Sequence, residues 1–587
     1  SGELISACRY YGAKPYFAGA YDFGFSKSPV ETLLFWGHDY ILGEFVRGIR
    51  KERPDIIIAR FAGTPEDGHG HHQAVGKITI EAFHAAADPT RFPEHLQEGL
   101  RPWQVKKIYL DDWSGRGQFP ENLSRHRIDL SGSDPYSEFT WNELGIKGMQ
   151  QHISQGMAEI RPQPGTIRTM LHLLDGVHEI PGGSDDLFCG IDTSIMGIAG
   201  RIGVGRNDVP VLVRALEQIQ EAAGEAWVSF GERNRERVTM HICRGLKELD
   251  GLIRGIDAFS LDRVASEELL FYLRWKKRDF NHALQRAINL QVEARADRAC
   301  VTPGETFTIT TAVHNNGPFS IKLNRVALDV PRGWNTESAK TNWDILLSGD
   351  HVNSVNRVIL SADADYTGPG ATSVVEAVLN DTEFKLSRVV QAPGINSSQG
   401  IQFRDLQVVP PVSVEINPGM MILAPDTEDR DINIAVNISS HVSGSVSGVV
   451  QLQVPGGWRV EPEPARFDCG NAAGQDLVRF HVSIPSDPLP DSALILAEAI
   501  FNGQTYDSFL QSIDLDHIGV FHVSRPAESK IQFVELERVA GLRVGYIRGL
   551  QDEIPDYLQM VGVSCDLLTE VNLEAGNLAE YDVIVAG

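Results

Sequence analysis

The sequence predicts a multidomain protein of class α/β + all-β, and three observations carry that prediction. Over residues 1–205, short β-branched runs alternate with amphipathic helical stretches, the pattern of an α/β layer fold. A Pro-x-Gly-Trp sequence then occurs twice, at Pro331-Arg332-Gly333-Trp334 and Pro455-Gly456-Gly457-Trp458, each time behind a strand of alternating polarity. The final stretch returns to strand, helix and strand, as in the opening of a doubly wound parallel sheet.

Taken in order, residues 14–24 read as a strand running into a loop. Leu33, Leu34, Leu42, Phe45, Val46 and Ile49 recur at helical spacing, and Pro54 ends that helix. The run "DIIIARF" at 55–61 reads as a central parallel strand buried on both faces. A loop rich in glycine and histidine follows, then a helix over 74–87 closed by Asp88-Pro89. Residues 105–110 form a further strand. Three amphipathic segments predict a helical subdomain or spacer over 206–290.

Two β-sandwiches are expected over 291–400 and 401–520. Val326, Leu328 and Val330 precede the first tryptophan as Val450, Leu452 and Val454 precede the second, 124 residues later. Each tryptophan is expected to plug its core. A partial doubly wound α/β domain is expected over 521–587, with strands at 542–549, 563–568 and 581–587.

At 587 residues the chain is long enough for three to five domains. A formal net charge of -25 disfavours non-specific binding to nucleic acid and to anionic membrane surfaces. No apolar run reaches the roughly 18–20 residues of a membrane-crossing helix. Six cysteines are scattered without a CxxC pair, so they read as buried free thiols rather than a disulfide framework or a zinc ribbon. Ser1 reads as an internal residue and "YDVIVAG" as a buried strand, so further residues are expected on both sides.

The chemistry concentrates in "TPEDGHGHHQAVGK", residues 64–77. This loop leaves the C-terminal end of a predicted parallel strand and enters a helix, where open α/β sheets bind ligands. Gly63, Pro65, Gly68 and Gly70 permit an unusual backbone path. His69 and His72 are three apart, a spacing that points both imidazoles at one centre, and zinc suits imidazole. Glu66 or Asp67 is placed to orient a ring through its second nitrogen. His71 is read as a bystander. The same composition also suits a solvated turn, and two histidines fall short of the three protein ligands of a catalytic zinc.

The stretch "DGHGHHQAVG" resembles the His-x-x-His signature of the LmbE/PIG-L family of zinc-dependent N-acetylglucosaminyl de-N-acetylases, with Gly70-His71 in place of the family's Pro-Asp. "GELISACRYYGA" resembles its Arg-x-x-Glu-Leu helix at Glu3-Leu4, "AYDFGFS" its Asp-x-Gly loop, "RPDIII" the strand before the histidines, and "HISQGM" a helix bearing Ser-Gln. The match covers roughly residues 1–200. It implies a Rossmann-like deacetylase domain in which zinc (Zn2+) is bound by His72. His69 would hold the tetrahedral intermediate and protonate the leaving amine, and Asp22 would bind sugar hydroxyls. The substrate would be an N-acetylated amino sugar or glycoconjugate. The ion would polarise the acetamide and lower the pKa of its water toward about 7.

The family's His-Pro-Asp-Asp motif, source of two zinc ligands and the general base, is absent from this sequence, and its place falls before Ser1. The complete protein is therefore expected to be active and this stretch alone inactive. Asp111-Asp112 and Asp185-Asp186 are the substitutes weighed for the missing ligands, each more often a turn or cap. The sandwiches resemble immunoglobulin-like modules of bacterial surface or periplasmic enzymes, which implies a periplasmic or extracellular location. The last segment resembles the start of a glutamine-amidotransferase-like or flavodoxin-like domain and is assigned no chemistry. The alternative reading is a non-catalytic carbohydrate-binding or scaffold protein with a degenerate deacetylase-like domain.

Overall fold

The computed structural model describes residues 2–21, 23–112, 123–133, 138–162, 168–177, 186–203, 209–338, 345–364, 370–396, 400–423, 431–470, 474–485, 491–515, 519–535, 541–549, 554–576 and 578–587. The chain falls into two compact units, Ser1–Glu217 and Gln218–Gly587. The N-terminal part is α/β, and most of the rest is β.

The first unit holds α1 (Gly2–Tyr11), α2 (Pro29–Trp36), α3 (His38–Glu52), β1 (Ile56–Ala59), α4 (Gly70–Ala85), α5 (Pro93–Gln97), β2 (Lys107–Asp111), β3 (Arg125–Asp129), α6 (Trp141–Met149), β4 (Arg168–Gly176) and α7 (Gly197–Arg201). The sheet runs β1-β2-β4-β3, with β1 parallel to β2 and the other neighbours antiparallel. Ile57 on β1 and Ile108 on β2 pack beneath Phe83 of α4 and Ile49 of α3. Leu42 and Val46 of α3 meet Ile78, Ala82 and Ala85 of α4 in a neighbouring cluster.

Three sequence expectations are corrected here. The helix expected across 31–54 is two helices. Gly37, at φ 77°, ends α2 and starts α3 in a left-handed conformation that costs glycine little. The strand expected at 55–61 is not central: β1 pairs only with β2 among the described residues, and Ile58 is 51 % exposed. Residues 14–24 form no strand among those described. Their carbonyls and rings turn instead to α2, where the Trp36 indole Nε1–H donates to Tyr21 O at 2.9 Å.

Helix α8 (Pro210–Gly231) spans the division between the two units. In the second unit α9 (Arg235–Arg254) packs with α10 (Arg263–Ile288), capped by Asn234 and Asp262 side chains. The strands that follow show why the Pro-x-Gly-Trp sequence repeats. In the first copy Thr306–Asn315, His351–Leu360 and Trp334–Ser338 are antiparallel neighbours. In the second, Asp431–Ser440, Gln475–Ser483 and Arg459–Glu461 repeat that order.

Each tryptophan follows a glycine at φ 84° or 89°, and its N–H donates to the proline carbonyl of its own turn at 3.2 Å. Trp334 is buried with Phe307, Val358 and Leu360. Trp458 is half-buried against the second core. Glu528–Phe533 pairs with Ser492–Phe501, so the all-β part continues past the boundary expected at 521. Beyond it, Ser564–Leu567, Arg543–Ile547 and Val583–Ala586 form a parallel sheet with Arg543–Ile547 in the middle.

The cysteines are free thiols: Cys8, Cys243, Cys469 and Cys565 are buried, Cys189 and Cys300 half-buried. No described helix is long and apolar enough to cross a membrane.

Candidate functional site

The loop between β1 and α4 leaves the C-terminal end of a parallel strand pair, and its path is set by one carboxylate. The N–H groups of Gly63 and Thr64 donate to Asp67 Oδ2 at 2.7 and 2.9 Å, and that of Ala62 to Oδ1 at 3.1 Å. Gly63 and Gly68 take positive φ, 83° and 89°, where a side chain would be strained. Gly70 is needed for a different reason. A Cβ there would lie 2.2 Å from Ser28 O and 2.4 Å from Ser26 Oγ, because the start of α4 runs against residues 26–28. Gly76, one and a half turns later, passes equally close to Gly63 N.

This packing makes a test of the loop. Gly70→Ala is expected to lower stability by about 1–3 kcal/mol through overpacking. Gly145→Ala, at a helical position with nothing within 4 Å of the added carbon, is expected to raise it by roughly 0.5–1 kcal/mol. Thermal melts of the two variants check the contrast, and a Gly70→Ala protein as stable as its parent would refute the close approach.

His69 is the N-cap residue of α4 and His72 lies in its first turn. Their ring centroids stand 3.9 Å apart at 36°. The His72 Nδ1–H donates to Asp67 O at 3.0 Å, since a carbonyl only accepts, and this leaves Nε2 with its lone pair. The opposite face of His72 stacks on Phe61 at 4.0 Å. Asp67 thus orients the ring through its carbonyl and not through its carboxylate. Glu66 is exposed, its carboxyl held below the usual range by the Thr64 hydroxyl.

His71, set aside in the sequence reading, lies flat on Trp36 at 5.1 Å and 9°, meets Phe23 edge-on at 4.6 Å, and stands 5.3 Å from His69. Its Nε2 is shielded from solvent and has no hydrogen-bond partner among the described residues. Spacing alone could not show this, because the neighbours come from residues 23 and 36. Asp22, expected to bind sugar hydroxyls, lies outside the described residues, as does Asp185.

Of the acidic residues weighed as substitute ligands, Asp111, Asp112 and Asp186 have other partners. Asp111 pairs with Arg60 and accepts from Thr169 Oγ1 at 2.6 Å. Asp112 lies 3.7 Å from His172 Nε2, a buried imidazole whose pKa burial lowers while Asp112 opposes the shift. Asp186 accepts from the N–H of Phe188 in a turn. Among the described residues, no group of three or more His, Cys, Asp or Glu is arranged to hold a metal.

Two further motif pieces meet in space. The buried Glu3 carboxylate of α1 accepts from Ser154 N at 2.9 Å and Ser154 Oγ at 2.6 Å. The "HISQGM" segment that carries Ser154 is not the expected α-helix. It forms two short 3-10 turns, Ile153–Gln155 and Met157–Glu159, after α6. Glycine at position 156, with φ 72°, separates them.

Comparison with known proteins adds the following. Residues 301–376 match the model described as NPCBM-associated, NEW3 domain of alpha-galactosidase. The chain is 33% identical over 117 residues to 1D-myo-inositol 2-acetamido-2-deoxy-alpha-D-glucopyranoside deacetylase 1 of Frankia alni, covering 18% of this chain and 39% of that protein. It is 33% identical over 113 residues to mycothiol S-conjugate amidase of Streptomyces coelicolor, covering 19% and 36%. The deacetylase of Frankia casuarinae is 32% identical over 117 residues, covering 18% and 36%. The chain therefore spans well under half the length of each of these relatives, and the likeness supports a deacetylase-like domain.

Proposed function

We propose that the N-terminal α/β region, taken as 1–205, serves a hydrolase that removes the acetyl group from an N-acetylated amino sugar or glycoconjugate, and that zinc is required. The contact of the His69 and His72 rings at the mouth of the β1–α4 loop carries this reading. The relatives' names, a deacetylase of a 2-acetamido-2-deoxy-glucopyranoside and an amidase, support it.

His72 suits a zinc ion: its Nδ1 is fixed by a carbonyl and its Nε2 lone pair is free for a metal. A catalytic zinc takes three protein ligands, and the described residues bring together no such set, so zinc is assigned to His72 alone. When bound, the ion would polarise an acetamide carbonyl. In the hydrolysis, where the oxygen of water joins the carbonyl carbon and the C–N bond breaks, a protonated His69 would donate to the oxygen that gains charge and pass that proton to the departing nitrogen, the proton from water replacing it. Asp67 holds the loop and aims His72. Asp22 takes sugar hydroxyls. A periplasmic or extracellular location goes with this reading, from the likeness of the β-sandwiches to modules of bacterial surface or periplasmic enzymes.

A second reading has its own support. The NEW3 match favours a non-catalytic carbohydrate-binding or scaffold protein with a degenerate deacetylase-like domain. One assay separates the two. The protein expressed from its full reading frame is incubated with N-acetylglucosamine glycosides, and free amine is measured before chelation, after chelation and after zinc is restored. Amine release that follows the zinc supports the hydrolase. Glycoside binding with no amine at any zinc concentration supports the binder.

A further inference from the structure

Two histidines meet on the outer face of the sheet that holds the first Pro-x-Gly-Trp copy. Strands Thr306–Asn315 and His351–Leu360 run antiparallel, and their register sets His314 directly opposite His351. Burial alternates along Thr306–Asn315, so Phe307 and Ile309 enter the core while His314 lies on the opposite face. His351 is exposed at the first position of its strand and His314 is half-buried, so an ion in solution reaches both. Side chains at directly opposed positions start about 4.5–5.5 Å apart at Cβ. The two imidazole rings stand 5.6 Å apart between centroids, with planes 17° from parallel. On its other side His314 is opposed by Gln291 of the strand Leu290–Ala296, which continues the row with an amide.

We infer that His314 and His351 are the protein ligands of a metal site that takes one divalent cation of the zinc and copper class. Neutral imidazole is the ligand these ions favour, whereas calcium and magnesium favour oxygen. The separation of the rings fits. Two imidazoles bound to one zinc at about 2.0–2.1 Å, at an angle near tetrahedral, have centroids roughly 5–5.5 Å apart. The second side-chain torsion of histidine is broad, so small turns of the two rings aim one nitrogen of each at a common point. Arg295 and Arg357, on the same face, are met by Glu293 at 2.7 Å and Glu337 at 3.3 Å, which blunts their repulsion of an arriving ion. The net charge of -25 draws cations to the surface. Two ligands fall short of the set that a catalytic or structural zinc takes, so water completes the shell and the ion exchanges with solvent. Each histidine comes from a different strand. The ion therefore ties the strands together and stabilises the folded sheet. The site is built without the histidine loop of the first unit and stands or falls independently of it.

The test is titration calorimetry with zinc chloride on the full chain carrying His72→Ala, so that metal at that ring contributes nothing. Adding either His314→Thr or His351→Phe is expected to weaken the tightest binding event about 10²-fold, the advantage of holding a second ligand in place. Threonine keeps a β-branched residue on the strand, and phenylalanine keeps a ring beside His314 without its nitrogens. A loss in the phenylalanine variant is thus a loss of ligation and not of stacking. Val355→Thr, at an exposed position on the same face of the second strand, should keep the parental affinity. Saturating zinc should raise the melting temperature of the parent by about 2–5 °C and leave that of the two histidine variants unmoved. Circular dichroism confirms that each variant is folded. An affinity unchanged by either histidine replacement overturns the site, and so does calcium binding as tightly as zinc.

Discussion

Replacing His69 with alanine is expected to lower turnover of an N-acetylated amino sugar by about 10²–10³-fold. The melting temperature should move by only about 2 °C, as for substitutions away from the core. The two halves of this expectation have separate grounds. His69 occupies the N-cap of α4, yet its side chain makes no capping hydrogen bond, so the helix loses no cap with the ring. Among its contacts are the Phe25 and His71 rings, edge-on, and the tilted His72 ring, in a half-exposed position. Its proposed work lies wholly in the reaction, where a proton and a developing negative charge must be met. His72→Ala should behave differently. That ring is tethered to Asp67 O and is assigned the metal, so zinc content and turnover should fall together. Zinc per chain, measured by plasma emission on both variants, separates the roles. A His69→Ala protein that keeps a third or more of the parental rate would end the assignment.

Parts of this arrangement were legible in the sequence because their physics is local. A His-x-x-His at a helix start puts both rings on one turn whatever surrounds it, and the rings do meet. The Pro-x-Gly-Trp turns were legible because a left-handed glycine and a core tryptophan leave the same mark twice. What escaped was non-local or ambiguous. Gly37 sits inside a helical pattern, and a lone glycine there reads as tolerated rather than as the break it is. The run at 56–59 is as β-branched as a central strand, yet its burial depends on neighbours that composition does not name. Glu3 and Ser154 are 151 residues apart, and no spacing rule joins them. Gly76 carries no turn signal, and its need arises only from the nearness of Gly63. The carboxylate of Asp67 was expected to serve a histidine. The loop's own N–H groups claimed it, because a tight glycine-rich turn leaves donors that must be satisfied.

Arg50→Met is expected to cost about 2–4 kcal/mol, through lost charge-assisted hydrogen bonds in a buried position. Arg50 is fully buried on α3, and among the described residues no carboxylate pairs with it. Its charge is met by main-chain oxygens: Nε donates to Ala86 O at 3.1 Å, one terminal nitrogen to Phe92 O at 3.1 Å, and the other to Asp88 O and Arg91 O at 2.7 and 2.9 Å. Ala86 O lies at the C-terminal end of α4, where carbonyls lack helical partners and the helix dipole is negative. Methionine fills a similar volume but removes the guanidinium from all four: Ala86 O, Asp88 O and Phe92 O keep the N–H groups of Trp103, Arg91 and His95, while Arg91 O keeps no other donor among the described residues. Lysine restores the charge but not the planar fork, so Arg50→Lys should recover only part of the loss.

The same cluster supplies a pH dependence. His95 is buried beside the guanidinium with Nδ1 3.4 Å from a terminal nitrogen, so a proton there would face a fixed cation. Burial, then Arg47 and Arg50, depress its pKa below the ordinary value, with Glu94 and Glu98 opposing. The unfolded chain takes up the proton first, near about pH 6.5. Stability is therefore full above that point and falls as pH drops through it toward the depressed native value. His95→Gln keeps an acceptor and cannot titrate. Urea melts between pH 7.5 and 5 should show a shallower decline in that variant than in the parent. Equal slopes would place the acid sensitivity on other buried imidazoles, such as His172.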